Sequence, residues 1–169
     1  ELALGAVEGG SASAFSSGMA AEHALITAQC RAGDHVVLPD DLYGGTYRMT
    51  DKILSHWGLE YTMVDQCDLA AVEAAVQPGR TKLVWVETPT NPTLKVIDVP
   101  AIVARARGAF VAVDNTFATP VYQRPLELGA DAAVHSTTKY LGGHSDVVGG
   151  FAACSDDGLA DRIGFLQNA

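Results

Sequence analysis

The sequence has few charged residues, little positive charge and no long apolar run. Charged residues make up only 18% of the 169 residues, and 11 basic against 20 acidic residues give a net charge of −9. This balance disfavours nucleic acid and anionic membranes as partners, since both are bound through basic surfaces. No apolar run reaches the roughly 18 residues of a membrane-spanning helix, and the first residues lack the basic start of a secretory signal. We therefore expect a cytoplasmic, globular protein with neither kind of partner.

Cysteine is also scarce. Cys30, Cys67 and Cys154 are odd in number and far apart, which excludes a disulfide framework and a CxxC metal site. We expect all three to be buried, reduced thiols. A metal site built from His135, His144 and Asp146 would lack the ligand spacing of known sites, so the sequence predicts no metal.

Three common catalytic or phosphate-binding motifs are absent. No two of the 17 glycines lie two residues apart, which excludes the G-x-G-x-x-G fingerprint of dinucleotide-binding folds. No lysine follows a glycine, which excludes a P-loop. No serine lies in a G-x-S-x-G turn, which argues against an α/β-hydrolase.

Short apolar runs alternate with helical patterns along most of the chain, and 48% of its residues are hydrophobic. The helical patterns begin near Ser17, with Met19, His23 and Ile26 on one face, and after the candidate N-caps Asp68 and Asp98. The predicted strands are 35–38, 59–64, 82–87, 110–114, 132–136 and 149–154. The last follows its predecessor too closely for a helical crossover, so it is expected to be antiparallel. The pattern predicts one α/β domain with a mostly parallel sheet.

Two charged residues follow predicted neighbouring strands. Asp114 ends one strand, and Lys139 comes three residues after another. Ligands of open parallel sheets bind beyond the carboxyl ends of the strands. A lysine that forms a Schiff base and a carboxylate that holds a ring nitrogen protonated are what pyridoxal phosphate chemistry requires. The other lysines, Lys52, Lys82 and Lys95, lie in a polar helix face, at a strand start and in a proline-bounded loop.

Further residues have the chemistry to bind the rest of such a cofactor. Ser17-Gly18-Met19 can present a helix N-terminus to a phosphate, and the hydroxyls of Ser136 and Thr138 can bind the same group. Tyr43, before Gly44-Gly45, could stack on a planar ring. Asn91, held between two prolines, could contact the phenolic oxygen of the ring. Taken singly, each of these features also fits an ordinary turn or surface position.

Five motifs together give the chain a resemblance to a known family. They are Ser17-Gly-Met-Ala-Ala21, Asp41-Leu-Tyr-Gly-Gly-Thr-Tyr47, Glu87-Thr-Pro-Thr-Asn-Pro92, Val113-Asp-Asn-Thr-Phe117 and His135-Ser-Thr-Thr-Lys-Tyr-Leu-Gly-Gly-His-Ser-Asp146. With these motifs the chain resembles the Cys/Met-metabolism family of enzymes dependent on pyridoxal 5'-phosphate over essentially its whole length. The resemblance implies the large domain of a fold-type I enzyme, with a mostly parallel sheet flanked by helices.

The resemblance also implies roles for individual residues. Lys139 would be the Schiff-base lysine and Asp114 the partner of the ring nitrogen, while Tyr43 would stack on the ring and protonate the leaving group. The other implied cofactor contacts are Ser17, Gly18, Met19, Ser136 and Thr138 to the phosphate, Asn91 to the phenolic oxygen and Thr116 to the other ring face. Tyr43 as a catalytic residue and Thr116 depend mainly on the resemblance.

The implied activity is γ-replacement or γ-elimination on a sulfur-containing amino acid, of the cystathionine γ-synthase or γ-lyase type. Methionine γ-lyases have a cysteine at the position of Gly45, which favours the cystathionine enzymes and leaves methionine γ-lyase as the alternative. An alternative of another class is a non-catalytic domain that keeps the fold for assembly. Family chains are longer, so residues 1–169 are expected to be a partial large domain without the family's N-terminal segment and C-terminal domain, and to turn over substrate poorly alone. The expected assembly is a homotetramer of dimers with shared active sites.

Overall fold

The computed structural model describes residues 1–169 and consists of one seven-stranded sheet with helices on both faces. The strands are β1 (Ser11–Phe15), β2 (His35–Pro39), β3 (Glu60–Val64), β4 (Thr81–Glu87), β5 (Phe110–Asp114), β6 (Ala132–His135) and β7 (Gly150–Cys154). The α-helices are α1 (Leu2–Glu8), α2 (Gly18–Gln29), α3 (Gly44–Lys52), α4 (Leu69–Ala75), α5 (Val99–Arg105), α6 (Thr119–Tyr122) and α7 (Asp157–Asn168). Single 3-10 turns lie at Leu54–Trp57 and Pro125–Leu128.

The strand order is β1-β7-β6-β5-β4-β2-β3. Strands β3, β2, β4, β5 and β6 run parallel, whereas β7 is antiparallel to both β6 and β1. All six strands predicted from the sequence are present, and the antiparallel direction of the last is confirmed. The predicted α/β class with a mostly parallel sheet is therefore correct.

The sheet buries apolar side chains on both faces. One face packs beneath α2, α3 and α7 around residues such as Leu25, Leu83 and Trp85. The other packs beneath α4 and α5 around residues such as Val84 and Ile102. Because the central strands are covered on both sides, β2 and β4 are apolar almost throughout, as parallel strands in the middle of such a fold must be.

The predicted helix caps form as expected. The Asp68 side chain accepts the N–H groups of Ala70 and Ala71, and the Asp98 side chain accepts that of Ala101. These bonds satisfy donors that the first turn of a helix leaves free. No helix of the structure is both long enough and apolar enough to cross a membrane.

The structure differs from the sequence-based expectations in four details. Strand β1 was not predicted, because Ser-Ala-Ser-Ala-Phe contains none of the β-branched residues that mark strands. On α2 the predicted apolar face included His23, which is exposed, while Glu22 is buried. The Gly44-Gly45 pair forms the first turn of α3 rather than a separate flexible turn. Cys30 and Cys154 are buried as expected, but Cys67 is exposed.

Candidate functional site

A cavity of about 260 Å³ opens at the carboxyl ends of the parallel strands. All ten residues predicted to contact a cofactor line it. They are Ser17, Gly18, Met19, Tyr43, Asn91, Asp114, Thr116, Ser136, Thr138 and Lys139. The other lining residues, which sequence reasoning did not propose, are Glu22, Glu87, Pro89, Phe117 and Val148.

One end of the cavity is formed by the N-terminus of α2. Ser17 is its N-cap, and its Oγ accepts the N–H of Ala20 at 3.1 Å. The N–H groups of Gly18 and Met19 belong to the first turn and have no acceptor within the helix. These donors and the positive end of the helix dipole favour an anion.

Gly18 lets the helix end approach strand β6. A Cβ built on Gly18 would lie 2.7 Å from the Cβ of Ser136, closer than two such atoms can pack. The absence of a side chain at position 18 therefore brings the Ser136 hydroxyl beside the free helix N–H groups. The geometry is that of an anion site with donors from two elements.

The hydroxyls of two predicted cofactor contacts, Thr138 and Thr116, already have protein partners. The Thr138 hydroxyl donates to the carbonyl of Gly149 at 3.2 Å and accepts its N–H at 3.0 Å. The Thr116 hydroxyl accepts the N–H of Ser136 at 2.9 Å. Both residues therefore hold the loop after β6 in place, whatever they contact in a ligand.

Asp114 is a buried carboxylate at the end of β5. Its Oδ1 accepts the N–H of Thr116 at 2.9 Å, and the carboxylate lines the cavity. Burial raises the pKa of Asp114, while the bonds from Thr116 and the nearby His135 act in the opposite direction. A cation facing Asp114 from the cavity would stabilise the charged form of this carboxylate.

Lys139 lines the cavity with an exposed side chain. Its ammonium group forms no ion pair or hydrogen bond. By contrast, Lys52 and Lys95 form ion pairs, and the ammonium of Lys82 donates to the carbonyl of Gly79 at 2.9 Å. Lys139 is therefore the lysine whose amine is free to react at the cavity.

Tyr43 precedes α3 and is 40% exposed at the cavity. A Cβ at Gly45 would lie 2.3 Å from Cε1 of the Tyr43 ring and 2.8 Å from Sδ of Met19. The ring therefore occupies space that any side chain at position 45 would need. Gly45 thus allows Tyr43 to fold back over the start of its own helix.

Three carboxylates line the cavity, of which the sequence analysis proposed only Asp114. Burial, followed by the charge of Asp114, raises the pKa of Glu87 to about 8, against the effect of two N–H donors. Burial and Asp114 also raise the pKa of Glu22 well above its usual value, although Thr46 donates a hydrogen bond to it at 2.7 Å. The cavity is thus lined by three buried carboxyl groups and one lysine.

A buried polar network lies next to the cavity. Glu8 of α1 contacts the Nε2 atom of His135, and it accepts the amide N–H of Asn115 at 2.9 Å. Asn115 and Gln123 also bond through their side chains at 2.9 Å. The His135 ring stacks on Phe151 at 4.6 Å. Asn115 directly follows Asp114, and His135 directly precedes Ser136. The network therefore anchors the ends of β5 and β6 at the cavity.

These features fit pyridoxal phosphate. The free N–H groups beside Ser136 suit its phosphate, and the buried carboxylate of Asp114, which lines the cavity, suits a protonated ring nitrogen. The free amine of Lys139 suits its aldehyde. The side chains and N–H groups that would meet the phosphate, the ring nitrogen and the aldehyde lie at or after the ends of strands β1, β5 and β6.

Comparison with known proteins gives the same family. A family model described as Cys/Met metabolism PLP-dependent enzyme matches residues 1–169. The chain is 56% identical, over 99% of its length, to a protein named cystathionine gamma-synthase in Mycobacterium tuberculosis. It is 52% identical, over 92% of its length, to one named cystathionine beta-lyase in Lactococcus lactis subsp. cremoris.

Solved structures agree. The crystal structure of metB from Corynebacterium glutamicum superposes with a TM-score of 0.94 at 50% identity, covering 97% of this chain and 43% of that one. Cystathionine gamma-lyase from Lactobacillus plantarum, complexed with L-serine, gives 0.92 at 48% identity, with 96% and 43% covered. The chain spans 44% of the length of the M. tuberculosis protein and 41% of that of the L. lactis protein.

Proposed function

Because this chain belongs to the Cys/Met metabolism family of PLP-dependent enzymes, we propose that it forms the cofactor-binding part of a transsulfuration enzyme. The proposed reaction is γ-replacement or γ-elimination on a sulfur-containing amino acid, of the cystathionine γ-synthase or γ-lyase type. The observation that carries the proposal is the meeting of the ten residues predicted from the sequence around one cavity at the strand ends. The names of the relatives support the same substrate class.

We assign the cofactor contacts as follows. Lys139 would hold the cofactor covalently through its amine, and Asp114 would pair with the ring nitrogen. Tyr43 would stack on the ring, Asn91 would contact its phenolic oxygen, and Thr116 would lie against its other face. Ser17, Gly18, Met19, Ser136 and Thr138 would surround the phosphate.

When bound, pyridoxal phosphate supplies an electron sink for negative charge that develops on the substrate carbon. Once the substrate amine had replaced it at the cofactor, the released amine of Lys139 would move protons at the α and β carbons of the substrate. The carboxylate of Asp114 keeps positive charge on the ring side of the cavity. The hydroxyl of Tyr43 protonates the departing γ-substituent.

A second candidate is β-elimination, which sequence reasoning did not consider. It is favoured by one observation, the 52% identity to a protein named cystathionine beta-lyase. The two eliminations use the same cofactor pocket and differ in which carbon–sulfur bond of cystathionine breaks. Their keto acid products differ by one carbon, so they can be distinguished directly.

Two earlier alternatives receive less support. Gly45 leaves methionine γ-lyase only as an alternative, and three of the four relatives named above carry cystathionine in their names. A non-catalytic assembly domain would have no need of an unpaired lysine beside a buried carboxylate. Both of those groups are present and accessible to the cavity.

We also propose that the chain is part of a large domain within a longer protein that assembles as a homotetramer of dimers with shared active sites. Exposed apolar side chains such as Val121, Tyr122 and Val148 support an association surface. A cytoplasmic location is supported by three cysteines that form no disulfide.

The deciding experiment is a product assay on the intact protein with pyridoxal phosphate. O-succinylhomoserine plus cysteine, cystathionine, and methionine are supplied separately. Cystathionine formation identifies the synthase, 2-oxobutyrate from cystathionine the γ-lyase, and pyruvate from cystathionine the β-lyase. Turnover of methionine alone, or of none of them, would refute the proposal.

A further inference from the structure

Glu87, which lines the cavity, joins two of its loops. Its Oε2 accepts the backbone N–H of Tyr43 at 2.7 Å, and its Oε1 accepts that of Asn91 at 2.7 Å. Tyr43 lies in the loop after β2, and Asn91 in the loop after β4, the strand that Glu87 ends. One side chain therefore links two main-chain segments that are distant in sequence.

The two loops leave the sheet in opposite directions. Strands β2 and β4 are neighbours, but β2 leads to β3 on one side, while β4 leads to β5 on the other. Open α/β sheets bind ligands at such a switch point, because the diverging loops leave a crevice. Glu87 spans that crevice, and its side chain is only 4% exposed.

We propose that Glu87 is a positioning residue, which sets the orientation of the cofactor ring by fixing Tyr43 and Asn91 relative to each other. The inference rests on the proposed function, which assigns ring stacking to Tyr43 and the phenolic contact to Asn91. Glu87 accepts both hydrogen bonds from backbone N–H groups, so the bonds fix the position of the main chain that carries the Tyr43 and Asn91 side chains. Bonds from N–H groups to an ionised carboxylate are about twice as strong as neutral ones. Because burial raises the pKa of Glu87 to about 8, cofactor affinity is to be compared above that pH, where Glu87 is ionised.

A separate set of contacts holds the outer parts of the same loops. Asp41 accepts bonds from the hydroxyls of Thr90 and Thr93 and from the N–H of Thr93. The ammonium of Lys95 lies 2.9 Å from Asp40 and 3.2 Å from Asp65. Since these contacts do not involve Glu87, its loss is expected to shift the inner ends of the loops without unfolding them.

The test uses Glu87→Gln in the intact protein. The amide of glutamine has the shape of the carboxylate, but it offers one acceptor oxygen and turns an NH2 donor toward the second N–H group. The expected result is a rise of about tenfold in the Kd for pyridoxal phosphate. We also expect the visible circular dichroism of the bound cofactor to fall, since this signal reports ring orientation independently of turnover.

The matched control is Asp68→Asn. Asp68 also accepts two backbone N–H groups, at the start of α4 and outside the cavity. It undergoes the same exchange of carboxylate for amide, and it should leave both readouts unchanged. Equal effects of the two variants would show a general loss of stability and would overturn the positioning role.

A coupling measurement tests whether Glu87 acts through the two loop residues. In a Tyr43→Ala, Asn91→Ala background, adding Glu87→Gln should raise the Kd for pyridoxal phosphate by less than about twofold, because coupled residues are not additive. A further tenfold rise in that background would show that Glu87 acts on the cofactor by another route.

Hydrogen exchange of the unmodified protein separates this inference from the proposed function. The amides of Tyr43 and Asn91 should exchange slowly in the absence of cofactor, and Glu87→Gln should accelerate at least one of them. Fast exchange of both in the unmodified protein would overturn the inference even if the enzyme is active. Slow exchange in a protein that binds no pyridoxal phosphate would instead contradict the proposed function alone.

Discussion

Lys139 differs from the other lysines in having no partner for its ammonium group. The sequence analysis selected it by its position after a strand and among hydroxyl residues. The structure adds a physical reason, since two of the other three are in ion pairs and the third is bonded to a carbonyl. Reactivity of an amine requires that it be free of such contacts, which makes Lys139 the residue to test first.

The variant Lys139→Ala should abolish turnover in the intact protein and remove the visible absorption band of the bound cofactor. The reason is the loss of the amine that holds the aldehyde and moves protons. Lys82→Ala, which removes a lysine that binds only the carbonyl of Gly79, is the control and should retain both. A band and product formation that survive in Lys139→Ala would contradict the assignment.

Gly18 supports a second prediction at the residue level. Gly18→Ala would place a methyl group 2.7 Å from the Cβ of Ser136, so α2 and β6 must move apart at the expected phosphate site. We expect about tenfold weaker binding of pyridoxal phosphate and a loss of roughly 1–3 kcal/mol of stability. Equilibrium dialysis and urea unfolding would measure these two effects.

Gly158→Ala is the matched control for that variant. Gly158 lies in the first turn of α7, and a Cβ there would meet nothing closer than 3.4 Å. Alanine is the better helix former, so this variant should gain up to about 1 kcal/mol without changing cofactor affinity. Unchanged affinity in Gly18→Ala as well would mean that the close approach of α2 to β6 is not needed for binding.

Sequence reasoning located Asp114 but not Glu87, although the two occupy equivalent places. They end adjacent strands and lie opposite each other in the register. The rule that drew attention to Asp114, a polar residue at the carboxyl end of a buried strand, applies equally to Glu87. Glu22 could not have been found in this way, because a glutamate within a helix is ordinarily solvated and nothing in the pattern of α2 indicated its burial.

At the level of elements, sequence periodicity predicted the central strands well and the edge poorly. Strands β2, β4 and β5 are buried on both faces, so their apolar runs are long and easily recognised. Strand β1 lies at the edge of the sheet and is made of serine and alanine before its final phenylalanine. Its pairing with β7, rather than its own composition, makes it a strand, and this pairing is invisible in a local pattern.

Helix α1 is joined to the sheet by the buried Glu8 carboxylate, which contacts His135 and Asn115. Glu8→Ala would leave these two buried donors without that acceptor, at a cost of about 1–3 kcal/mol in unfolding free energy. Urea unfolding of the cofactor-free protein would measure the loss. The control Glu1→Ala removes an exposed carboxylate that also accepts a backbone N–H, and it should cost less than about 0.5 kcal/mol. Equal losses would show that the buried network does not hold α1.

At the scale of the whole molecule, the cluster of buried acids makes stability depend on pH. The pKa values of Glu22, Glu87 and Asp114 are all raised, chiefly by burial. A carboxyl with a raised pKa binds its proton more tightly when folded. Its contribution to stability is therefore fully present below the ordinary pKa and is lost as pH rises through the folded-state value.

We accordingly expect these carboxyls to lower the stability of the cofactor-free protein between pH 4.5 and 8, the limits that Glu87 defines. The slope for each such group is at most about 1.4 kcal/mol per pH unit. Urea unfolding at a series of pH values would measure it, and Glu87→Gln should make the fall shallower. A slope unchanged by that substitution would contradict a raised pKa for Glu87.

The pairing of β1 with β7 also affects when, during folding, the expected phosphate site at the N-terminus of α2 can form. Residues 11–15 pair with residues 150–154. During synthesis, Ser17, Gly18 and Met19 are therefore made long before the strand that pairs with the segment preceding them. Closing so distant a pair is slow compared with local folding. We therefore expect the phosphate-binding N-terminus of α2 to become ordered late in folding, after the loops expected to contact the cofactor ring.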